Sequence, residues 1–156
     1  MGHDAVEIDF VMPWVDGSDP AWREEFLKYR ALQAPQGEPA CDTGTAAGAV
    51  DASEERYRDW DTLRYWFRGV ERFAPWVNRI HFITWGHLPA WLDTAHPKLH
   101  VVRHADYIPS PYLPTFNSCP IELNMHRIEG LAEHFVYFND DTFLCRPVGP
   151  ERFFLN

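Results

Sequence analysis

The sequence predicts an α/β fold, a mainly parallel sheet flanked by helices, and three observations predict it. Short runs rich in aromatic and β-branched residues at 6–15, 79–85, 99–103 and 133–138 alternate with helical stretches, as in βαβ units. Residues 58–73 place Leu63, Trp66, Phe67 and Val70 at helical spacing. The last apolar run, within EHFVYFNDDTFL, stops abruptly at Asn139, Asp140 and Asp141. Open α/β sheets bind ligands at the carboxyl ends of their strands, and paired hard oxygens there suit a divalent cation. The plainer reading of the same three residues is a polar turn.

Composition narrows the choice. At 156 residues the chain fits one ordinary domain, and 46% hydrophobic with 15% aromatic content supplies a core. Fourteen Lys plus Arg against 23 Asp plus Glu give a net charge of −9 with no basic tract, which argues against a nucleic-acid partner. An anionic ligand then needs local arginines or a metal. Cys41, Cys119 and Cys145 form no CxxC pair, so neither a disulfide framework nor a structural zinc site is expected, and a reducing compartment is the simpler setting. No run reaches the length of a membrane span and the start lacks a signal-peptide pattern. The expectation is a cytoplasmic chain, or one peripheral to the inner face of the membrane.

In chain order, residues 6–15 (VEIDFVMPWV) form a strand that runs into Asp16, Gly17, Ser18, Asp19 and Pro20. Gly17 permits a tight turn, and Ser18 or Asp19 can cap a helix that has Pro20 at its first position. That helix, residues 20–32, is amphipathic through Trp22, Phe26 and Tyr29. Residues 33–53 lose all periodicity and read as a flexible insertion within a single 1–156 domain, either a lid or a tolerated surface loop. In the 58–73 helix, Arg64 and Arg68 are four residues apart and can clamp a diphosphate, although pairing with nearby acids is the plainer account. The Pro-rich stretch 104–117 reads as a binding loop. Asn117 or Ser118 caps a helix that turns Ile121, Met125 and Ile128 inward and ends at Gly130, and its N-terminus is a candidate anion site. Among eight histidines, none lies in an HExxH pattern and no nucleophile elbow is present; His126 beside Arg127 is the one to watch.

Five blocks then stand together: IDFVMPWVDGSDPAW (8–22), RDWDTLRYWFRGVERFAPWVNRIHFITWGHLPAWL (58–92), LPTFNS (113–118), IELNMHRIEGL (121–131) and FVYFNDD (135–141). In this order and spacing the chain resembles the Stealth family of sugar-phosphate transferases. Those proteins include bacterial capsular polysaccharide phosphotransferases and the lysosomal-enzyme N-acetylglucosamine-1-phosphotransferase. The resemblance implies a fold similar to nucleotide-diphospho-sugar transferases. It also implies transfer of a hexose-1-phosphate from a nucleotide-sugar donor to a hydroxyl of a glycan or capsular polysaccharide, releasing a nucleoside monophosphate. Under it Asp19, Arg64 and Asp141 are the expected catalytic residues. Trp14, Val15, Asp16, Gly17, Asn117 and Arg68 are the expected donor contacts, and Asp140 with Asp141 the expected ligands of Mg²⁺ or Mn²⁺.

Two departures temper this expectation. Cys119 stands where many members have His after LPTFNS, and the family usually continues past the NDD block into further signature blocks. A chain ending at Asn156 is therefore expected to be incomplete at its C-terminus, to bind donor weakly and not to turn it over. The alternatives are a metal-dependent glycosyltransferase and a donor-binding module without activity.

Overall fold

The computed structural model describes residues 6–33 and 57–154. From residue 34 onward the predicted insertion, with Cys41, lies outside the described residues. The chain divides into two compact units, one of residues 1–14 with 60–156 and one of residues 15–59.

The first unit is built on four parallel strands, β1 (Ile8–Pro13), β2 (Ile80–Thr84), β3 (Leu99–Arg103) and β4 (His134–Tyr137), in the order β3-β2-β1-β4. The parallel expectation holds for every pair, with Phe10 opposite Ile80, Ile80 opposite Leu99 and Ile8 opposite His134. Helix α2 (Leu63–Phe73) lies between β1 and β2 in sequence, and α3 (His104–Tyr107) and α4 (Ser118–Leu123) between β3 and β4. Both sheet faces are covered, so β1 and β2 are near-continuous apolar runs rather than alternating ones. Phe10 and Met12 meet Trp66, Val70 and Phe82 on one face, while Val11 joins Ile83, Val102, Tyr107 and Met125 on the other.

A chain of polar groups is built into this core. Asp9 is fully buried, and its carboxyl oxygens accept from Asn78 Nδ2, His81 Nε2 and the Ala132 amide, each at 2.9 Å. His81 Nδ1 then faces His100 Nδ1 at 3.0 Å. With its Nε2–H donated to Asp9, neutral His81 has only a lone pair left at Nδ1, so His100 is the donor there. Burial keeps His81 below the ordinary histidine range against the opposing pull of Asp9, so this is a hydrogen-bonded chain rather than an ion pair. It ties β1, β2 and β3 to the segment that enters β4.

Two predicted elements differ. The 58–73 helix begins only at Leu63, because Asp61 sits at φ 55° and breaks the run ahead of it. The predicted 118–130 helix ends at Leu123; Asn124 Nδ2 donates back to the Pro120 carbonyl at 2.8 Å, and the chain tightens into a turn at Met125–Arg127. Gly69 fits a close approach, since a Cβ there would stand 3.2 Å from the Leu144 carbonyl oxygen.

In the second unit, α1 (Pro20–Gln33) starts with proline, and Asp19 Oδ1 accepts the Trp22 amide at 2.8 Å as an N-cap. Trp22 stacks on Phe26 at 5.1 Å, and both pack against Tyr57. This confirms the helix and makes its aromatic face a packing surface.

Candidate functional site at the carboxyl edge of the sheet

The chain leaves β1 for β2 and β3 on one side and returns to pair β4 on the other, so the strand order reverses between β1 and β4. At such a switch point the two flanking connections part and leave a crevice outside the carboxyl ends of the strands. Val11 pairs with Tyr137, so Trp14 and Asp140 each stand three residues beyond a registered pair at this crevice. Helix α2 must carry the chain back from that edge to begin β2, which puts its first turn on the same side. The Trp66 ring lies 5.4 Å from Phe138, the residue that follows β4.

Asp140 and Asp141 are exposed on a turn closed by the Thr142 amide and hydroxyl, each donating to the Asn139 carbonyl at 3.0 Å. The sequence placed them correctly at a strand end, and β4 is a half-buried outer strand of the sheet among the described residues. The Tyr137 hydroxyl lies 2.7 Å from Asn139 Oδ1 and 3.1 Å from Glu122 Oε1. Its pKa is raised, first by burial, then by Glu122, Asp140 and Asp141, so all three carboxylates act on one small region. Among the described residues, no three His, Cys, Asp or Glu side chains gather closely enough to hold a metal ion. Two adjacent exposed carboxylates fit a cation that takes its other ligands from water and substrate phosphates, as Mg²⁺ does, and do not fit a metal caged by protein alone.

Arg64 occupies the first turn of α2. Its Nη2 donates to both oxygens of Asp61, at 2.7 and 3.0 Å, and the guanidinium lies over the Trp91 ring at 5.7 Å. Arg68 lies instead over Tyr65 at 5.8 Å. The two cations therefore turn to different partners, and Arg64 has the sturdier seat. An exposed pair such as Arg64 with Asp61 contributes about 0–1 kcal/mol, little enough for a phosphate to compete for the arginine. Asn117 caps α4 by accepting the Cys119 amide at 2.9 Å, and a helix of six residues has little dipole to offer an anion. Cys119 is exposed and unbonded to any other cysteine.

In the second unit, Asp16 Oδ1 accepts the Ser18 amide at 2.9 Å and the Ser18 hydroxyl at 2.6 Å, and the Gly17 amide donates to the Tyr57 carbonyl at 2.8 Å. Asp16, Gly17, Arg23, Arg30 and Arg58 line a cleft of about 240 Å³. With Asp16 and Asp59 beside its three arginines, the cleft carries charge of both signs. In the first unit a larger apolar cavity, about 330 Å³, lies between α2 and residues 91–99. Its Lys98 is spent on the carbonyls of Pro75 and Val77, so it offers little to phosphate chemistry.

The sequence reading missed His104. It singled out His126, which is exposed, whereas His104, the residue directly after β3, is 8% exposed with Nδ1 buried and unbonded among the described residues. Burial, with His87 nearby, holds its pKa down at about 4, so the ring is neutral at physiological pH. Its position at a strand's carboxyl end was the only signal available.

Residues 6–32 match Stealth protein CR1, conserved region 1, and residues 56–156 match Stealth protein CR2, conserved region 2. The chain is 53% identical over 149 residues to the capsular polysaccharide phosphotransferase WcwK of Streptococcus pneumoniae, covering 96% of this chain and 41% of the relative. It is 47% identical over 154 residues to the receptor polysaccharide phosphotransferase WefC of Streptococcus oralis, covering 95% and 41%. It is 47% identical over 152 residues to the capsular polysaccharide phosphotransferase CpsJ of Streptococcus thermophilus, covering 96% and 58%. The chain thus spans between two fifths and three fifths of the length of these relatives. Two conserved regions, matched in order over most of its residues, make this chain a member of the Stealth protein family.

Proposed function

We propose that the chain is the donor-handling portion of a sugar-phosphate transferase that moves a hexose-1-phosphate from a nucleotide-diphospho-sugar to a hydroxyl of a polysaccharide. The observation that carries this reading is the pair Asp140 and Asp141 at the β1/β4 switch point, in a chain whose relatives are named polysaccharide phosphotransferases. In this reaction the acceptor oxygen attacks the sugar-bearing phosphorus, the phosphoanhydride bond breaks, and nucleoside monophosphate leaves. The protein's work is mainly to position the reactants and balance charge. Asp140 and Asp141 would hold a Mg²⁺ or Mn²⁺ ion, which when bound neutralises phosphate oxygens. Arg64 would leave Asp61 to pair with a phosphate oxygen, with Arg68 a weaker candidate for the same work. Within the second unit, Asp19 is proposed as a catalytic residue and Val15, Asp16 and Gly17 as donor contacts; within the first, Trp14 and Asn117 are proposed as donor contacts. No helix of the described residues is long and apolar enough to cross a membrane. We place the chain on the cytoplasmic side, where nucleotide-sugars are made.

Calorimetry with nucleotide-sugars tests the cation site. Donor affinity is expected to rise with Mg²⁺ in the wild type and to lose that increment, about 1.5–3 kcal/mol, in Asp141→Ala with unchanged circular dichroism. Equal affinity with and without Mg²⁺ in both proteins would refute it. Product analysis in the complete reading frame tests the reaction: nucleoside monophosphate supports phosphotransfer, and nucleoside diphosphate identifies a glycosyltransferase instead.

A further inference from the structure

The turn that carries Asp140 and Asp141 is fastened at Asn139. The main-chain carbonyl of Asn139 accepts the Thr142 amide and hydroxyl, and its side-chain oxygen accepts the Tyr137 hydroxyl at 2.7 Å. The Thr142 bonds close the turn on itself, so they give it shape without giving it direction. The Tyr137 bond reaches outside the turn. Tyr137 is the last residue of β4, and its hydroxyl also lies 3.1 Å from Glu122 Oε1 on α4. Helix α4 is itself held in place: the Tyr107 hydroxyl, from α3, donates to the Ile121 carbonyl at 3.0 Å, Ile121 packs against the cluster of Val11 and Ile83, and Met125 just beyond the helix is buried. Bonds and packing thus run from one face of the sheet through α4 and Tyr137 to the residue directly before Asp140.

A phenolic hydroxyl has one hydrogen to give, and both neighbours of Tyr137 present oxygen to it. Asn139 has the closer contact and Glu122 the longer one, so the carboxylate braces the hydroxyl while the amide takes its bond. Exposed bonds of this kind add little to global stability, because water replaces them at small cost. What they supply is orientation. Side chains that are ordered only when a ligand gathers them weaken its binding, and side chains already set in direction do not. Glu122 does not share the ion directly: among the described residues no three His, Cys, Asp or Glu side chains come close enough to hold a metal together, which leaves Glu122 to act through Tyr137.

We propose that Tyr137 and Glu122 are positioning residues for the cation site: the Tyr137 hydroxyl, braced by Glu122, holds Asn139 and so sets the directions of Asp140 and Asp141. This rests on the reading that those two carboxylates hold a divalent cation. Neither Tyr137 nor Glu122 touches the ion, and the Asn139 amide oxygen stays on the hydroxyl.

The probe is Mn²⁺ alone, titrated into the ¹⁵N-labelled chain, with its site read from the paramagnetic broadening of the amide signals of residues 139–142. Asp141→Ala identifies which broadening belongs to the site. Tyr137→Phe keeps the ring and drops the hydroxyl; it is expected to weaken Mn²⁺ binding about three- to tenfold, the contribution of one hydrogen bond, and to leave Tm nearly unchanged. Glu122→Ala is expected to weaken binding by less. In the Tyr137→Phe background, at high salt to screen its bare charge, it should add nothing, because its effect passes through the hydroxyl. Wild-type affinity in Tyr137→Phe overturns the proposal, even if Tm falls, since the hydroxyl is then structural only. An undiminished loss from Glu122→Ala in that background also overturns it, by making Glu122 a ligand. Failure of the cation reading looks different: the wild type itself then shows no broadening at 139–142 that Asp141→Ala removes, and the positioning role falls with it.

Discussion

His104 gives the chain a pH dependence whose sign can be worked out. Its folded-state pKa is lowered to about 4 from an ordinary 6.5 by burial and by His87. Between those values the unfolded chain takes up a proton that the folded chain refuses, so acidification favours unfolding. The contribution is fully present above pH 6.5 and is lost as pH falls towards 4, by about 3 kcal/mol at the lower limit. His81, also lowered by burial, adds in the same direction. Denaturant titrations at pH 7 and pH 4.5 should show the loss in the wild type and a smaller one in His104→Phe. Parallel curves for the two proteins would remove His104 from the account. No reading of VVRHADY alone reveals this. The sequence shows a histidine after a strand, while its burial is set by the tertiary fold. Asp140 and Asp141 were legible for the opposite reason, since their role as a strand-end pair is set by neighbours in sequence.

At the scale of elements, runs with a strong local pattern were readable. The near-continuous apolar runs of β1 and β2 mark strands covered on both faces, and the spacing of Leu63, Trp66 and Val70 marks the buried face of α2, whatever the tertiary partners. What escaped was set by single side chains acting against the period: Asp61 at a positive φ, and Asn124 bonding back to Pro120. Helix α3 lay hidden at the head of a Pro-rich stretch, where four residues, HADY, carry no periodic signal. The turn ahead of α1 offers a test at this scale. A Cβ on Gly17 would come within 2.7 Å of both Tyr57 Cβ and the Tyr57 carbonyl oxygen, and backbone cannot swing aside as a side-chain tip can. Gly17→Ala is expected to destabilise the 15–59 unit by about 1–3 kcal/mol. Native-state hydrogen exchange should show that loss in α1 and leave β1 and β2 protected. Unchanged exchange in α1 would mean that the Gly17 to Tyr57 approach is not a constraint.

For the molecule as a whole, the strand order is the feature with the widest reach. It was not legible, because βαβ alternation predicts parallel strands without saying on which side of β1 the last one returns. The same order also sets a timetable. Once β1 is made, Ile8 waits for His134, more than a hundred residues later, before its second flank is paired. At about 5–20 residues per second of synthesis, the open flank of IDFVMP persists for roughly 5–25 s. An unpaired apolar strand flank is a template for association with other chains. A chain halted at residue 132 should therefore sediment with aggregates under conditions where the 156-residue chain stays dispersed. Equal solubility would show that something else shields β1 in the interval. A nascent chain of this topology is thus most exposed to chaperones, and most in need of them, in the interval between the emergence of β1 and that of β4, just before the NDD turn follows.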